Sequence, residues 1–194
     1  MNKNYDILIF LILIYLIIIY ITSKTKEIKK YKFKTGDIIL TKCFSPIQLL
    51  SKYTHASLII CILDRVYVLE SYPDDNVRII TLDEYMEYYD KIYILSLKYR
   101  FSKEIEYRLF KNVKDYLDFK FPKFPLIYML QTYIKSYLYN KNEKSPTHLV
   151  CSEFIYYIFE NIEFIKDTYY LKSPDELLKL NTHTFLGYYK KYLK

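Results

Sequence analysis

The chain has 194 residues, 52% of them hydrophobic and 26% charged, with 29 Lys+Arg against 22 Asp+Glu and a formal charge of +7. It is too long for a disulfide miniprotein and too apolar for a disordered tail, so one compact domain is expected. There are 25 Tyr, 12 Phe, no Trp and only two glycines, Gly36 and Gly187, so neither a glycine-rich dinucleotide loop nor a P-loop can be written.

The first element in chain order is an uncharged apolar run from Ile7 to Ile21, which spans about 23 Å as a helix and approaches the hydrocarbon thickness with its flanks. Thr22-Ser23-Lys24-Thr25-Lys26 follows it without a small-x-small cleavage site, and the lysines lie downstream. An uncleaved anchor is therefore expected rather than a signal peptide. Residues 1–34 hold Lys3, Lys24, Lys26, Lys29, Lys30, Lys32 and Lys34 against Asp6 and Glu27, a net of +5 out of the total +7. The basic excess marks a membrane flank rather than a nucleic-acid surface, and it assigns the rest of the chain to the cytosolic side. The organisation expected is an anchor over 1–23, a basic juxtamembrane stem over 24–34, and a globular domain over 35–194.

Within that domain, Asp37 to Thr41 reads as a strand, Ser45-Pro46 opens a short helix, and Thr54 to Leu63 is apolar enough to be a buried strand. Asp64-Arg65 turns the chain into a strand from Val66 to Ser71. Val77 to Thr81 is a strand, Leu82 to Tyr89 a short helix, and Ile92 to Leu97 a strand. A helix from about Ser102 to Leu117 precedes the proline-bounded stretch Phe121-Pro122-Lys123-Phe124-Pro125, and a second helix runs from about Leu126 to Leu138. After the polar loop Asn140 to Thr147, the segment Val150 to Asn161 carries Phe154, Ile155 and Ile158 at helical spacing, continued by Ile162. Ser173-Pro174-Asp175-Glu176 supplies a cap, a first-turn proline and acidic residues for one more helix. Strands early and helices late predict an α+β fold with a mostly antiparallel sheet.

Two positions in this frame can carry chemistry. His55 stands at the beginning of a strand, and Cys151 at the mouth of a helix in Val-Cys-Ser-Glu-Phe-Ile. A thiol at a helix N-terminus meets unpaired N–H groups and the positive end of the dipole, which favour the thiolate, and a nearby imidazole completes an ion pair. The plain alternative is a small core cysteine and a satisfied strand histidine. The three cysteines, Cys43, Cys61 and Cys151, are odd in number and widely spaced, which suits reduced thiols, with Cys43 and Cys61 as buried core residues.

Five segments extend the pattern: Thr35-Gly36-Asp37-Ile38-Ile39-Leu40, Thr54-His55-Ala56-Ser57-Leu58, Val68-Leu69-Glu70-Ser71, Val150-Cys151-Ser152-Glu153-Phe154 and Ser173-Pro174-Asp175-Glu176-Leu177. In order and spacing they resemble the circularly permuted papain-like hydrolases related to the NlpC cysteine amidases, in particular the YiiX-like branch. That group has members in bacteria and large cytoplasmic DNA viruses, and lecithin retinol acyltransferase is a distant relative. The resemblance covers about residues 35–180. It implies a permuted papain-like fold with Cys151 as nucleophile, His55 as general base and Glu70 as the residue that orients the imidazole, with no metal or organic cofactor. Asp37 matches the family's glycine-aspartate pair, where it would fix the local turn. Two segments depart from the pattern: Ser57 stands where a glycine is usual, and Tyr116 to Pro122 replaces a glycine-tyrosine-aspartate segment.

Side-chain alternation limits which carboxylate can meet His55. A two-residue loop at Asp64-Arg65 would put Glu70 opposite Ile59, about 13 Å from His55, and would turn Asp74 towards the histidine. A four-residue loop from Ile62 to Arg65 would put Glu70 opposite Ser57 and diagonal to His55. Both Glu70 and Asp74 thus stay open as orienters. The remaining candidates read as structural: His148 as a solvated neighbour, His183 without an evident partner, Glu153 as a first-turn acid serving the helix dipole, and Tyr128 and Tyr133 as walls of an apolar pocket.

The expected activity is that of a membrane-anchored thiol hydrolase or acyltransferase acting on an amide or ester near the bilayer, such as a lipid ester or lipidated protein, in a host or virion membrane. An inactive membrane-tethered binding module or structural envelope protein that keeps the fold is the alternative from another class.

Overall fold

The computed structural model describes residues 27–42, 52–72, 77–117, 150–165 and 173–190. Among them, seven strands form one sheet: β1 Glu27–Ile28, β2 Ile38–Thr41, β3 His55–Ile62, β4 Arg65–Ser71, β5 Val77–Thr81, β6 Lys91–Leu97 and β7 His183–Lys190. Their spatial order is β1-β7-β6-β2-β3-β4-β5. Every pairing is antiparallel except β1 with β7. Three helices, α1 Leu82–Tyr88, α2 Lys103–Leu117 and α3 Cys151–Asn161, and a 3₁₀ turn Pro174–Lys179 complete the described elements. The architecture is α+β.

Alternation along the strands divides the core in two. Ile39, Ile59, Val68 and Ile92 pack with Tyr85 and Met86 of α1. Ile38, Leu40, Leu58, Leu69 and Leu95 pack with Leu109 of α2 and with Phe154, Ile155 and Ile158 of α3. The sheet is thus covered on both faces, which is why β2 and β3 read as unbroken apolar runs. At the start of α1, Thr81 Oγ1 accepts from the Glu84 amide at 3.2 Å while Glu84 Oε2 accepts from the Thr81 amide at 2.7 Å. Such a reciprocal cap contributes about 1 kcal/mol and fixes the turn from β5.

The β3–β4 hairpin has a two-residue loop, one residue earlier than the Asp64-Arg65 alternative. Ile62 pairs with Arg65, leaving Leu63 and Asp64 as a two-residue loop with φ of 48° and 63°, the backbone twist that suits a right-handed hairpin. Its register is the one drawn above for the longer loop, because Leu58 faces Leu69 and Cys61 faces Val66.

Three further differences have local causes. The strand β7 was not expected, because Gly187 (φ 132°) and a register shift between Ile94 and Leu95 break its period. Residues 27–34, read as a stem, lie against the sheet: Glu27 pairs with Tyr188, and Tyr31 donates to Asp37 Oδ2 at 2.8 Å. The segment after Ser173 is a 3₁₀ turn whose Asp175 carboxylate accepts from the amides of Lys52 and Tyr53, at 2.6 and 3.1 Å, just before β3.

Gly36 (φ 95°) is required, since a Cβ there would lie 2.7 Å from the Phe101 ring. Asp37, as expected, fixes this turn: its carboxylate accepts from the amides of Lys34 and Leu97, each at 2.9 Å. The apolar run Ile7–Ile21, the helix at Ser45-Pro46, the stretch 121–125, the helix 126–138 and the loop 140–147 lie outside the described residues. Among the described residues no helix is long and apolar enough to cross a membrane.

Candidate active site

The site begins with strand parity. His55, Ser57, Glu70 and Arg78 share one face of β3, β4 and β5, because Glu70 follows the Leu58–Leu69 pair by one position and is itself the direct partner of Arg78. His55 opens β3 and is buried, and Glu70 is fully buried one strand away. His55 Nε2 lies 2.6 Å from Glu70 Oε2. Ser57 Oγ sits beside both, 3.2 Å from Nε2 and 3.3 Å from Oε2, and also 3.2 Å from the Tyr85 hydroxyl. Serine at this position therefore serves the polar cluster as well as the packing.

Cys151 is the first residue of α3 and is buried. The helix starts there because Val150 is extended (φ −72°, ψ 162°) and its carbonyl accepts the Phe154 amide at 2.8 Å. Glu153 Oε2 reaches back to the Val150 amide at 3.2 Å. The Cys151 thiol stands close enough to His55 to raise the imidazole pKa. With Nε2 engaged by Glu70, Nδ1 is the ring nitrogen through which His55 can meet the thiol.

The electrostatics follow from burial and partners. Burial pulls the His55 pKa down, but Cys151 and Glu70 outweigh it and carry it up to about 10. Burial pushes the Glu70 carboxyl up, but His55 and Arg78 more than offset this and hold it below the ordinary carboxylate range. An ionised pair, imidazolium on carboxylate, is what these opposing effects leave. Among the described residues Glu153 has no such cation, so burial carries it up to about 7 against the Val150 amide. It is a buried acid near its midpoint at neutrality rather than the standing charge expected for a first-turn glutamate.

The structure thus brings Cys151, His55 and Glu70 together. Asp74, His148, Cys43, Tyr128 and Tyr133 lie outside the described residues. His183 is remote from the cluster and does have a partner, the Gly36 carbonyl 2.9 Å from Nε2. Cys61 is half-buried, and burial raises its thiol pKa.

The sequence did not single out Tyr85 or Arg78. Arg78 Nε and Nη2 lie 2.8 and 2.7 Å from Glu70 Oε1. Its guanidinium stands 3.7 Å from the Tyr72 ring centre and 5.4 Å from that of Tyr88. An arginine one hairpin beyond an acidic strand residue was the available signal, since opposite charges favour facing positions.

No protein-family model matches the chain, and no curated protein matches its sequence. Among solved structures it is similar to the metalloprotein YiiX from Escherichia coli O157:H7, with a TM-score of 0.61 and 15% identity over 84% of this chain and 100% of that one. The fold is therefore YiiX-like. Among the described residues no group of three or more His, Cys, Asp or Glu is disposed to hold a metal ion.

Proposed function

We propose that the chain is a membrane-anchored cysteine hydrolase or acyltransferase in which Cys151 is the nucleophile, His55 the proton carrier and Glu70 its orienter. One observation carries this reading: a buried imidazole lies 2.6 Å from a buried carboxylate and close enough to a cysteine at a helix N-terminus for the thiol to raise its pKa. That is the arrangement nucleophilic thiol catalysis needs.

In the reaction proposed, the Cys151 proton rests on His55 and Sγ attacks the substrate carbonyl carbon. First-turn amides of α3, including that of Cys151, face the developing oxyanion. Collapse breaks the bond to the leaving amine or alcohol, which takes the proton from His55, and an acyl thioester remains. Neutral His55 then removes a proton from water or an acceptor alcohol. The oxygen attacks the thioester, the C–S bond breaks, and the proton stays on His55 to restore the pair. No metal enters these steps.

The bilayer location rests on the run Ile7–Ile21 and its lysine-rich flank. Since β1 starts at Glu27, about five residues would separate such an anchor from the sheet edge, at most about 18 Å when extended. A substrate in or on the membrane, a lipid ester or a lipidated protein, then meets the site at high effective concentration.

The test is acyl-enzyme capture with the full-length chain in detergent micelles, using a p-nitrophenyl acyl ester. A thioester on the Cys151 peptide, absent in Cys151→Ala and slowed in His55→Ala, supports the reading. Full turnover in Cys151→Ala overturns it.

A further inference from the structure

The geometry points to Arg78 as a positioning residue of this site, a fourth member that acts through Glu70. The inference rests on the Cys151–His55–Glu70 reading and extends it. Each oxygen of the Glu70 carboxylate has its own cationic neighbour: Oε2 has His55 at 2.6 Å, and Oε1 has Arg78 at 2.8 and 2.7 Å. The backbone prepares this, because Glu70 and Arg78 face each other across β4 and β5. Directly opposed side chains start about 5 Å apart. The guanidinium then has only to lie along the sheet, and Tyr72 and Tyr88 restrict where else it can swing.

Four groups are thereby arranged across β5, β4, β3 and the mouth of α3. With the thiol ionised, they read guanidinium, carboxylate, imidazolium and thiolate, alternating in sign and summing to zero. A buried row of zero net charge is far easier to desolvate than one with an excess. Without Arg78 the row carries one negative charge too many and regains neutrality by binding a proton. If the proton lands on Glu70, the carboxyl no longer holds the imidazolium. If it lands on Cys151, the nucleophile is gone.

Among the described residues, the other titratable groups around the row are Glu153, the buried first-turn acid of α3 whose carboxylate accepts from the Val150 amide beside Cys151, and four phenols. Tyr85 on α1 bonds Ser57 and is held neutral by burial; Tyr89, just after α1, stacks on His55 at 6.3 Å; and Tyr72 and Tyr88 flank Arg78. Among the described residues, the cations against Glu70 are His55 and Arg78.

The experiment follows alkylation of Cys151 by iodoacetamide against pH, read by peptide mass spectrometry on the full-length chain in micelles. Arg78→Met should move the acid limb of the profile to higher pH, slowing labelling at pH 6 by about tenfold for each unit moved. Arg78→Lys, which restores the charge but not the fork, should return the limb most of the way. In a Glu70→Gln background the row is neutral without Arg78, so Arg78→Met should move the limb no further towards high pH. An unmoved limb in Arg78→Met, or a further shift towards high pH in the Glu70→Gln background, overturns the assignment. If Arg78→Met alone does not fold, the Gln-background pair decides by the same criterion. Wild-type Cys151 labelling no faster than Cys61 would instead overturn the thiol-enzyme reading beneath it.

Discussion

His183 donates from Nε2 to the carbonyl of Gly36 at 2.9 Å, tying the start of the last described strand to the glycine turn that precedes β2. Its Nδ1 pairs with the Thr182 hydroxyl at 2.9 Å, and its ring lies over Phe159 at 5.6 Å. Burial lowers its pKa to about 4 despite the Gly36 bond, so the native ring is neutral at pH 6. The unfolded chain binds this proton near pH 6.5, hence stability is present above that value and is lost as pH falls towards 4. Urea midpoints should decline from pH 7 to pH 5, and His183→Asn should flatten the decline. An equally steep decline in the variant would contradict the assignment.

Glu153 predicts the opposite slope. Its folded pKa of about 7 lies above the value of an exposed glutamate, so the native state holds the proton longer. Its stabilising effect is full below about pH 4.5 and is lost as pH rises through 7. Glu153→Gln should therefore match the wild type at pH 5 and melt higher at pH 8.5. Melting curves at the two pH values check this, and an equal difference at both would contradict it.

Asp175 is expected to act at a distance from the chemistry. Its carboxylate clamps the Lys52 and Tyr53 amides two to three residues before His55. Asp175→Ala should cost about 1–2 kcal/mol of stability and loosen the entry of β3. In an active preparation kcat should fall more than KM rises, since the substrate is untouched and the imidazole is displaced. Kinetics on the variant at a temperature where it remains folded separate the two effects.

For the imidazole itself, the raised His55 pKa of about 10 sets an alkaline limit on its role as proton donor to the leaving group. The rate kcat/KM should fall above that pH. Glu70→Gln removes one of the charges that raise it and should bring the limb to lower pH, while His55→Ala should abolish the limb together with most of the activity. A limb unmoved in Glu70→Gln would separate Glu70 from the imidazole.

Much of this arrangement is legible in the sequence. Val77–Thr81 falls where β-branched residues end at a threonine cap, and the apolar density of β2 and β3 announced central strands. Parity alone restricted Glu70 to one of two registers. What the sequence hid were features set by pairing over distance. The partner of Glu70 on β5 depends on a connection whose residues 73–76 carry no periodic signal. The strand β7, with Thr184 and Phe185 exposed and a glycine in its middle, has no clean alternation. A two-residue strand such as β1 exists only because β7 offers an edge. Asp175 looked like a helix-opening acid because its partners, Lys52 and Tyr53, lie more than 120 residues earlier.

That last strand has a consequence for the order in which the protein comes off the ribosome. The hairpins from β2 to β5 need only local chain, and β6 can join β2 as soon as Leu97 emerges. The other side of β6, with Ile92, Tyr93, Ile94 and Leu95, has β7 as its neighbour, so it waits until Lys190 has been made. At roughly 5–20 residues per second, this interval lasts about 5 to 20 s. Through it the nascent chain carries an unpaired apolar strand edge, the kind of surface that recruits other strands. Slowed translation between Leu97 and Lys190 should therefore lower the soluble yield more than the same delay placed before β6.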